Sequence, residues 1–190
     1  MTKQDIRKLY KQKRLALSTT ERLKLDDLLL IQLQRLSLHT NIQFVMSFWP
    51  LEHHAEMNMH LYTRYLEHAF PDFKIAFPVI DFSMAEIHAV LVNENTDFIE
   101  NEYGIPEPEE GEEIAAEELD LILVPLLAFD KNGYRVGYGK GFYDRFLKKC
   151  HDNVITVGFS YFEAVDKIED TNQFDVPLNY CITPHKIYEF

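Results

Sequence analysis

Cysteine is scarce in this chain: Cys150 and Cys181 are the only two in 190 residues, and no CxxC spacing relates them. Neither a disulfide framework nor a zinc ribbon is expected, and a reducing cytoplasm is the setting that fits. Long apolar runs are missing as well. None approaches the roughly 18 residues of a membrane span, and the charged opening MTKQDIRKLYKQKR is followed by no signal-like apolar region. Neither a membrane nor export is expected. Positive charge is in deficit, with 19 Lys and Arg against 31 Asp and Glu and a net charge of -12. That balance argues against nucleic acid as a partner, because such binders show a basic footprint. Glycine is used sparingly too: there are seven, and four of them lie between Gly133 and Gly141.

What is present is ordinary for a folded domain. With 46% hydrophobic and 26% charged residues, the chain has enough apolar material for one core, so a single domain over residues 1–190 is expected. A monomer is expected too, though composition does not set it. The charge is spread unevenly. Met1 to Lys24 is basic, whereas all the charged residues between Glu100 and Asp120 are acids. A local basic surface in an acidic protein points to a polyanionic small molecule.

The periodicity predicts two opening helices. KQDIRKLYKQKRLALS sets Ile6, Leu9, Tyr10 and Leu17 on one side, with Lys3, Arg7, Lys11 and Arg14 in a stripe beside them. Ser18 to Glu21 reads as a capping box before the leucine-rich helix Leu23 to Leu36. IQFVMSFW, KIAFPV, EIHAVLV, VITVGFSY and YCITP are strand candidates, and Leu61 to Phe70 reads as a helix. LDLILVPLLAF reads as one strand buried on both faces. The acidic stretch before it, with Pro106 and Pro108, reads as a long surface excursion. Strands alternating with helices predict an α/β fold, a mostly parallel central sheet flanked by helices in a Rossmann-like layering.

Chemistry concentrates in GYRVGYGKGFYDRF, Gly133 to Phe146. It sits between a predicted strand and a predicted helix over Phe142 to Cys150, where open α/β sheets bind ligands. Alternating Gly137, Gly139 and Gly141 let backbone amides approach an anion, and a helix start adds partial positive charge. Arg135 and Lys140 supply a forked and a mobile cation for phosphate. Asp144, in the first helical turn, suits Mg²⁺ bridging to that phosphate. The stretch matches neither a P-loop nor GxGxxG, and a plain strand-to-helix turn with Asp144 as its cap stays open. HHAEMNMH, His53 to His60, lacks the cysteines or HExxH frame that zinc needs, so exposed histidines are expected there. Glu56, after FVMSFWP, is either an acceptor for a polar ligand or a solvated carboxylate. The stripe of Lys3, Arg7, Lys11 and Arg14 is either a solvated face or a partner of the glycine loop. Phe48, Trp49 and the loop tyrosines suit core, rim, or a flat heterocycle.

The segment DLILVPLLAFDKNGYRVGYGKGFYDRFL resembles the strand, FD-x-x-G turn and R-[LV]-G-x-G-x-G-[FY]-Y-D loop of the 5-formyltetrahydrofolate cyclo-ligase family. KQDIR, Glu56, GIPEP, VGFSY and DVPLNYCITP extend the resemblance along the chain. It implies an enzyme that uses ATP and Mg²⁺ to phosphorylate the formyl oxygen of 5-formyltetrahydrofolate. Attack by N10 and loss of phosphate then give 5,10-methenyltetrahydrofolate. Carried onto this sequence, it implies that Lys3, Arg7, Arg135, Gly137, Tyr138, Gly139, Lys140 and Gly141 take ATP, with Lys140 and Arg135 at the transferring phosphate. It implies Asp144 and Asp175 at Mg²⁺, Glu56 binding the folate head or orienting the reacting nitrogens for catalysis, and Leu51, Phe142 and Tyr143 along the pterin. The chain departs from the family pattern at Glu163-Ala164-Val165, Phe174 and Asn179, which bears on Asp175 more than on Asp144. Two other readings stay open: a binding protein of this fold without turnover, and a kinase of another small molecule.

Overall fold

The computed structural model describes residues 1–38, 41–70 and 72–190. Two helices open the chain, α1 (Lys3–Leu15) and α2 (Thr19–Arg35), each started by a reciprocal capping box, Thr2 with Asp5 and Ser18 with Glu21. The first box bonds two otherwise orphaned amides on either side of Lys3, the first cation of the stripe.

Then follow β1 (Phe44–Met46), α3 (Met59–Ala69), β2 (Lys74–Asp81), β3 (Glu86–Val92), β4 (Phe98–Glu100), β5 (Pro106–Pro108), β6 (Glu113–Ile114) and β7 (Leu121–Val124). The chain closes with β8 (Ala128–Phe129), β9 (Arg135–Val136), α4 (Phe142–Leu147), β10 (Ile155–Phe159), β11 (Tyr180–Ile182) and β12 (Ile187–Glu189). An eight-stranded sheet runs β12-β11-β10-β7-β1-β2-β3-β6. From β11 to β2 every pairing is parallel, and antiparallel strands finish both edges. The expected α/β class, with a mostly parallel sheet, is what the chain adopts.

Alternation along β7 explains its position. Leu121 and Leu123 enter the core under α2 and α3, with Leu29, Leu33, Tyr62 and Leu66. Ile122 and Val124 face the other way, toward Phe146 and Leu147 of α4. A third, smaller cluster joins Ile6 and Tyr10 of α1 to Leu127, Ala128, Val136 and Ile168, which docks the N-terminal helix at the end of the sheet. Cys150 and Cys181 are free thiols, and burial raises both above their ordinary range.

Three expectations are corrected. The run LDLILVPLLAF is not one strand: β7 stops before Pro125, which has no N–H to give a ladder, and Ala128–Phe129 pairs instead with Arg135–Val136 in a separate hairpin. The acidic excursion is not a plain loop, because β4 and β5 form a hairpin and β6 joins the sheet edge. The helix after the glycine loop ends at Leu147 rather than Cys150.

Candidate active site

The parallel strands β1, β2 and β7 open at their carboxyl ends into one cleft of about 530 Å³. Phe48 and Trp49 follow β1, Pro78 and Ile80 lie on β2, and Pro125 follows β7, so sheet topology alone sets the floor. The glycine loop lies over one side. Gly139 and Gly141 have φ of +97° and +70°, a conformation that only glycine takes without strain. A side chain at Gly139 would meet the Arg7 guanidinium at 3.2 Å. With only six residues, α4 adds little macrodipole, so loop amides and side-chain cations supply the positive field.

The structure gathers every expected site residue at this cleft. Lys3 and Arg7 reach it from α1, Leu51 and Glu56 from the chain after β1, and Asp175 from the segment before β11. Arg135, Gly137, Tyr138, Gly139, Lys140, Gly141, Phe142, Tyr143 and Asp144 line it from the loop side. Arg7 Nε donates to the Gly137 carbonyl at 2.9 Å, so the N-terminal stripe is bound to the loop rather than merely solvated. Lys3 Nζ donates to both oxygens of Asp175 at 2.6 Å. Arg135 is buried and committed. It donates to the Val176 carbonyl and, at 3.0 Å, to Asp144 Oδ1, which also accepts the Val176 N–H. Burial disfavours its charged form, and the adjacent Asp144 carboxylate opposes that. Lys140 is exposed at the loop tip.

Glu56 is no solvated carboxylate. Its side chain is 4% exposed, and burial pushes its pKa up. Hydrogen bonds from the Tyr138 hydroxyl and the Leu51 N–H, with Arg14 nearby, pull it back. Tyr138 and Tyr143 are themselves raised by burial and by the same carboxylate. The Tyr143 hydroxyl is buried without a protein partner among the described residues. A ligand atom would satisfy it. His54 stacks on Tyr138 with ring centroids 4.9 Å apart. Burial, with the nearby Lys11 and Arg14 charges adding to it, holds its pKa down at about 4, so it is neutral near pH 7. It is therefore a ring of the site rather than the exposed histidine expected.

The acidic hairpin supplies a wall that sequence reasoning missed. Tyr103, Ile105 and Pro106 line the cleft. Tyr103 packs on Phe82 at 4.0 Å between centroids, and Phe98 packs on Trp49 at 4.6 Å. The apolar residues spaced among its acids were the available signal. Arg14 was missed as well, because its place in the stripe gives no sign that it is buried.

Among the described residues no cluster of three or more His, Cys, Asp or Glu forms a cage for a metal. Asp144 has one oxygen engaged and Oδ2 without a hydrogen bond among the described residues. Both Asp175 oxygens are taken up by Lys3 and by the Asn172 N–H. This donor set suits a hard cation that brings phosphate oxygens as further ligands. The departures lie elsewhere. Glu163 accepts from Thr183 and Tyr188, Asn179 accepts from Thr156, and Phe174 is exposed under Lys148.

A sequence profile described as the 5-formyltetrahydrofolate cyclo-ligase family matches residues 1–184. The 5-formyltetrahydrofolate cyclo-ligase of Mycoplasma pneumoniae is 30% identical over 184 residues, 96% of this chain and 98% of that protein. The cyclo-ligase of Mus musculus is 30% identical over 156 residues, 78% and 74% of the two chains. The solved structure of 5,10-methenyltetrahydrofolate synthetase from Aquifex aeolicus superposes with a TM-score of 0.82 at 29% identity, covering 100% of this chain and 93% of that one.

Proposed function

The chain belongs to the 5-formyltetrahydrofolate cyclo-ligase family, and from that premise we propose that its cleft closes the ring of 5-formyltetrahydrofolate to 5,10-methenyltetrahydrofolate with ATP as co-substrate. The observation that carries this reading is one cleft lined both by phosphate-seeking groups, Arg7, Lys140 and the glycine loop, and by a buried carboxylate beside apolar walls. Nucleotide phosphate and a flat heterocycle would meet there.

A formamide oxygen is a poor leaving group and must be activated. The formyl oxygen attacks the γ-phosphorus, the bond from phosphorus to the bridging oxygen breaks, and ADP leaves. N10 then attacks the formyl carbon and gives up its proton, and phosphate departs with the former formyl oxygen. Positioning and charge neutralisation are what the protein contributes. Arg7 still has its terminal guanidinium nitrogens for phosphate, since only Nε is bound to Gly137. Lys140 neutralises the transferring group, and Lys3 reaches phosphate by sharing its proton donors with Asp175. Arg135 fixes the loop base and holds Asp144. Asp144, with Asp175 nearby, would hold Mg²⁺, which would supply further neutralisation of the phosphates. Glu56 takes the folate head and orients the reacting nitrogens, with Leu51, Phe142 and Tyr143 along the pterin. Both substrates are small molecules. We assign the chain to the cytoplasm as a monomer without nucleic-acid or membrane partners; no described helix is long and apolar enough to cross a bilayer.

Mixing the protein with 5-formyltetrahydrofolate and MgATP should raise the near-ultraviolet absorbance of the methenyl product, and omitting either substrate should abolish the rise. No rise with both present, while calorimetry still reports ATP binding, would sink the reading in favour of binding without turnover.

A further inference from the structure

Arg14 shares the cationic stripe of Lys3 and Arg7 but does not line the cleft. It is 2% exposed and lies behind the site. Its guanidinium donates to the Leu126 carbonyl and, at 3.4 Å, to the Tyr138 hydroxyl, and it stands 3.8 Å from Glu56 Oε1. The Tyr138 hydroxyl in turn donates to that same Oε1. Leu51 N–H holds the other oxygen at 2.8 Å. A single chain of donors thus runs from α1 through the glycine loop to the carboxylate after β1.

Each link depends on the next. The Tyr138 hydroxyl accepts from Arg14 while it donates to Glu56, and such chains strengthen cooperatively in a low-dielectric interior. If the loop moved away, Glu56 would lose a donor and Arg14 an acceptor. Both are buried, and a buried charge left without its partners is unfavourable. The loop conformation that presents Gly137 to Gly141 to phosphate is therefore the one that holds Glu56 in place.

We propose that Arg14 is a positioning residue that couples the two substrate subsites, locking the nucleotide loop and the folate carboxylate into one arrangement through Tyr138. This rests on the cyclo-ligase reading of the cleft. Linkage makes the effect reciprocal: nucleotide tightens folate binding by the factor by which folate tightens nucleotide binding.

Calorimetry tests it with two probes, 5-formyltetrahydrofolate and β,γ-imido-ATP with Mg²⁺, each titrated alone and in the presence of the other. The wild-type protein should show a coupling factor of roughly fivefold or more. In Arg14→Met and Tyr138→Phe the factor should fall toward one, and Arg14→Lys, which keeps the charge and loses the fork, should be intermediate. A merely structural Arg14 would lower thermal stability and leave the factor intact. Should Arg14→Met fail to fold, Tyr138→Phe makes the same comparison while removing one hydroxyl and no charge. Independent binding in the wild type, or an undiminished factor in the variants, would overturn the proposal. Failure of the wild-type protein to bind either probe, alone or in the presence of the other, would instead overturn the functional reading, and the coupling with it.

Discussion

Lys140 is the residue whose proposed role in the chemistry is least tied to the fold. Its side chain is exposed, and its ammonium takes no hydrogen bond or ion pair among the described residues; only its carbonyl is used, by Arg145. Removing it should cost stability no more than about 0.5 kcal/mol, as for other surface changes. In the proposed reaction, however, this side chain neutralises the charge on the transferring phosphoryl group. Losing one such stabilising contact typically lowers kcat by about 100-fold or more. Lys140→Ala should therefore show a depressed kcat with an unchanged melting temperature. Turnover within a few-fold of wild type would remove Lys140 from the mechanism. Glu56 is the opposite case, since it lines the cleft as a buried rather than an exposed side chain. Nothing in the local sequence AEMN distinguishes a buried carboxylate from a solvated one, because its donors are Leu51, five residues away, and Tyr138, on a distant loop.

At the scale of elements, what was legible is what is local. The Ser18 box, the strands Lys74–Asp81 and Glu86–Val92 and the two opening helices depend on spacing and caps close in sequence. The splitting of LDLILVPLLAF at Pro125 was legible in principle, since proline interrupts a ladder. The β8–β9 partnership that replaces it is not local. Non-local contacts also fix α2 against α3. Asp26 of α2 is buried, and its Oδ1 accepts the Asn58 N–H at 3.2 Å, the Tyr62 hydroxyl at 2.9 Å and the Tyr161 hydroxyl at 2.8 Å. Burial raises the Asp26 pKa above its ordinary 3.8, against those hydrogen bonds and the charge of Arg22. The folded state thus binds the proton more tightly than the unfolded chain. Its contribution to stability is full below the unfolded pKa and is lost as pH rises through the folded value. Asn can accept the same three bonds through its own Oδ1 without ionising. The melting temperature of Asp26→Asn relative to wild type should therefore increase from about pH 4 toward pH 7. A pH-independent difference over that range would show that Asp26 keeps its ordinary pKa.

Across the whole molecule, charge is sorted by position. The net charge of -12 would repel ATP and folate, both anions, at long range. The acidic hairpin carries part of that negative charge beside the cleft. Yet it presents Tyr103, Ile105 and Pro106 to the cleft, while Glu102, Glu109 and Glu110 are exposed and do not line it. Inside, Lys3, Arg7, Arg135 and Lys140 bring cations together at the loop. Two opposed fields would act on a nucleotide entering the cleft, and salt separates them. The Debye length is about 10 Å at 0.1 M salt, so diffuse repulsion is already weak there, whereas contact attraction persists and fades only with further screening. If the cleft cations govern binding, KM for ATP should rise as salt is taken from about 0.1 M to 0.5 M. The rise should be shallower in Arg7→Ala, which removes one cation bound to the loop at Gly137. Calorimetry on that variant should show weaker ATP binding, with folate binding in the absence of nucleotide unchanged. A KM that falls with salt would mean that the overall negative charge, not the cation cluster, controls nucleotide entry. Unchanged ATP affinity in Arg7→Ala would confine the role of α1 to supporting the loop.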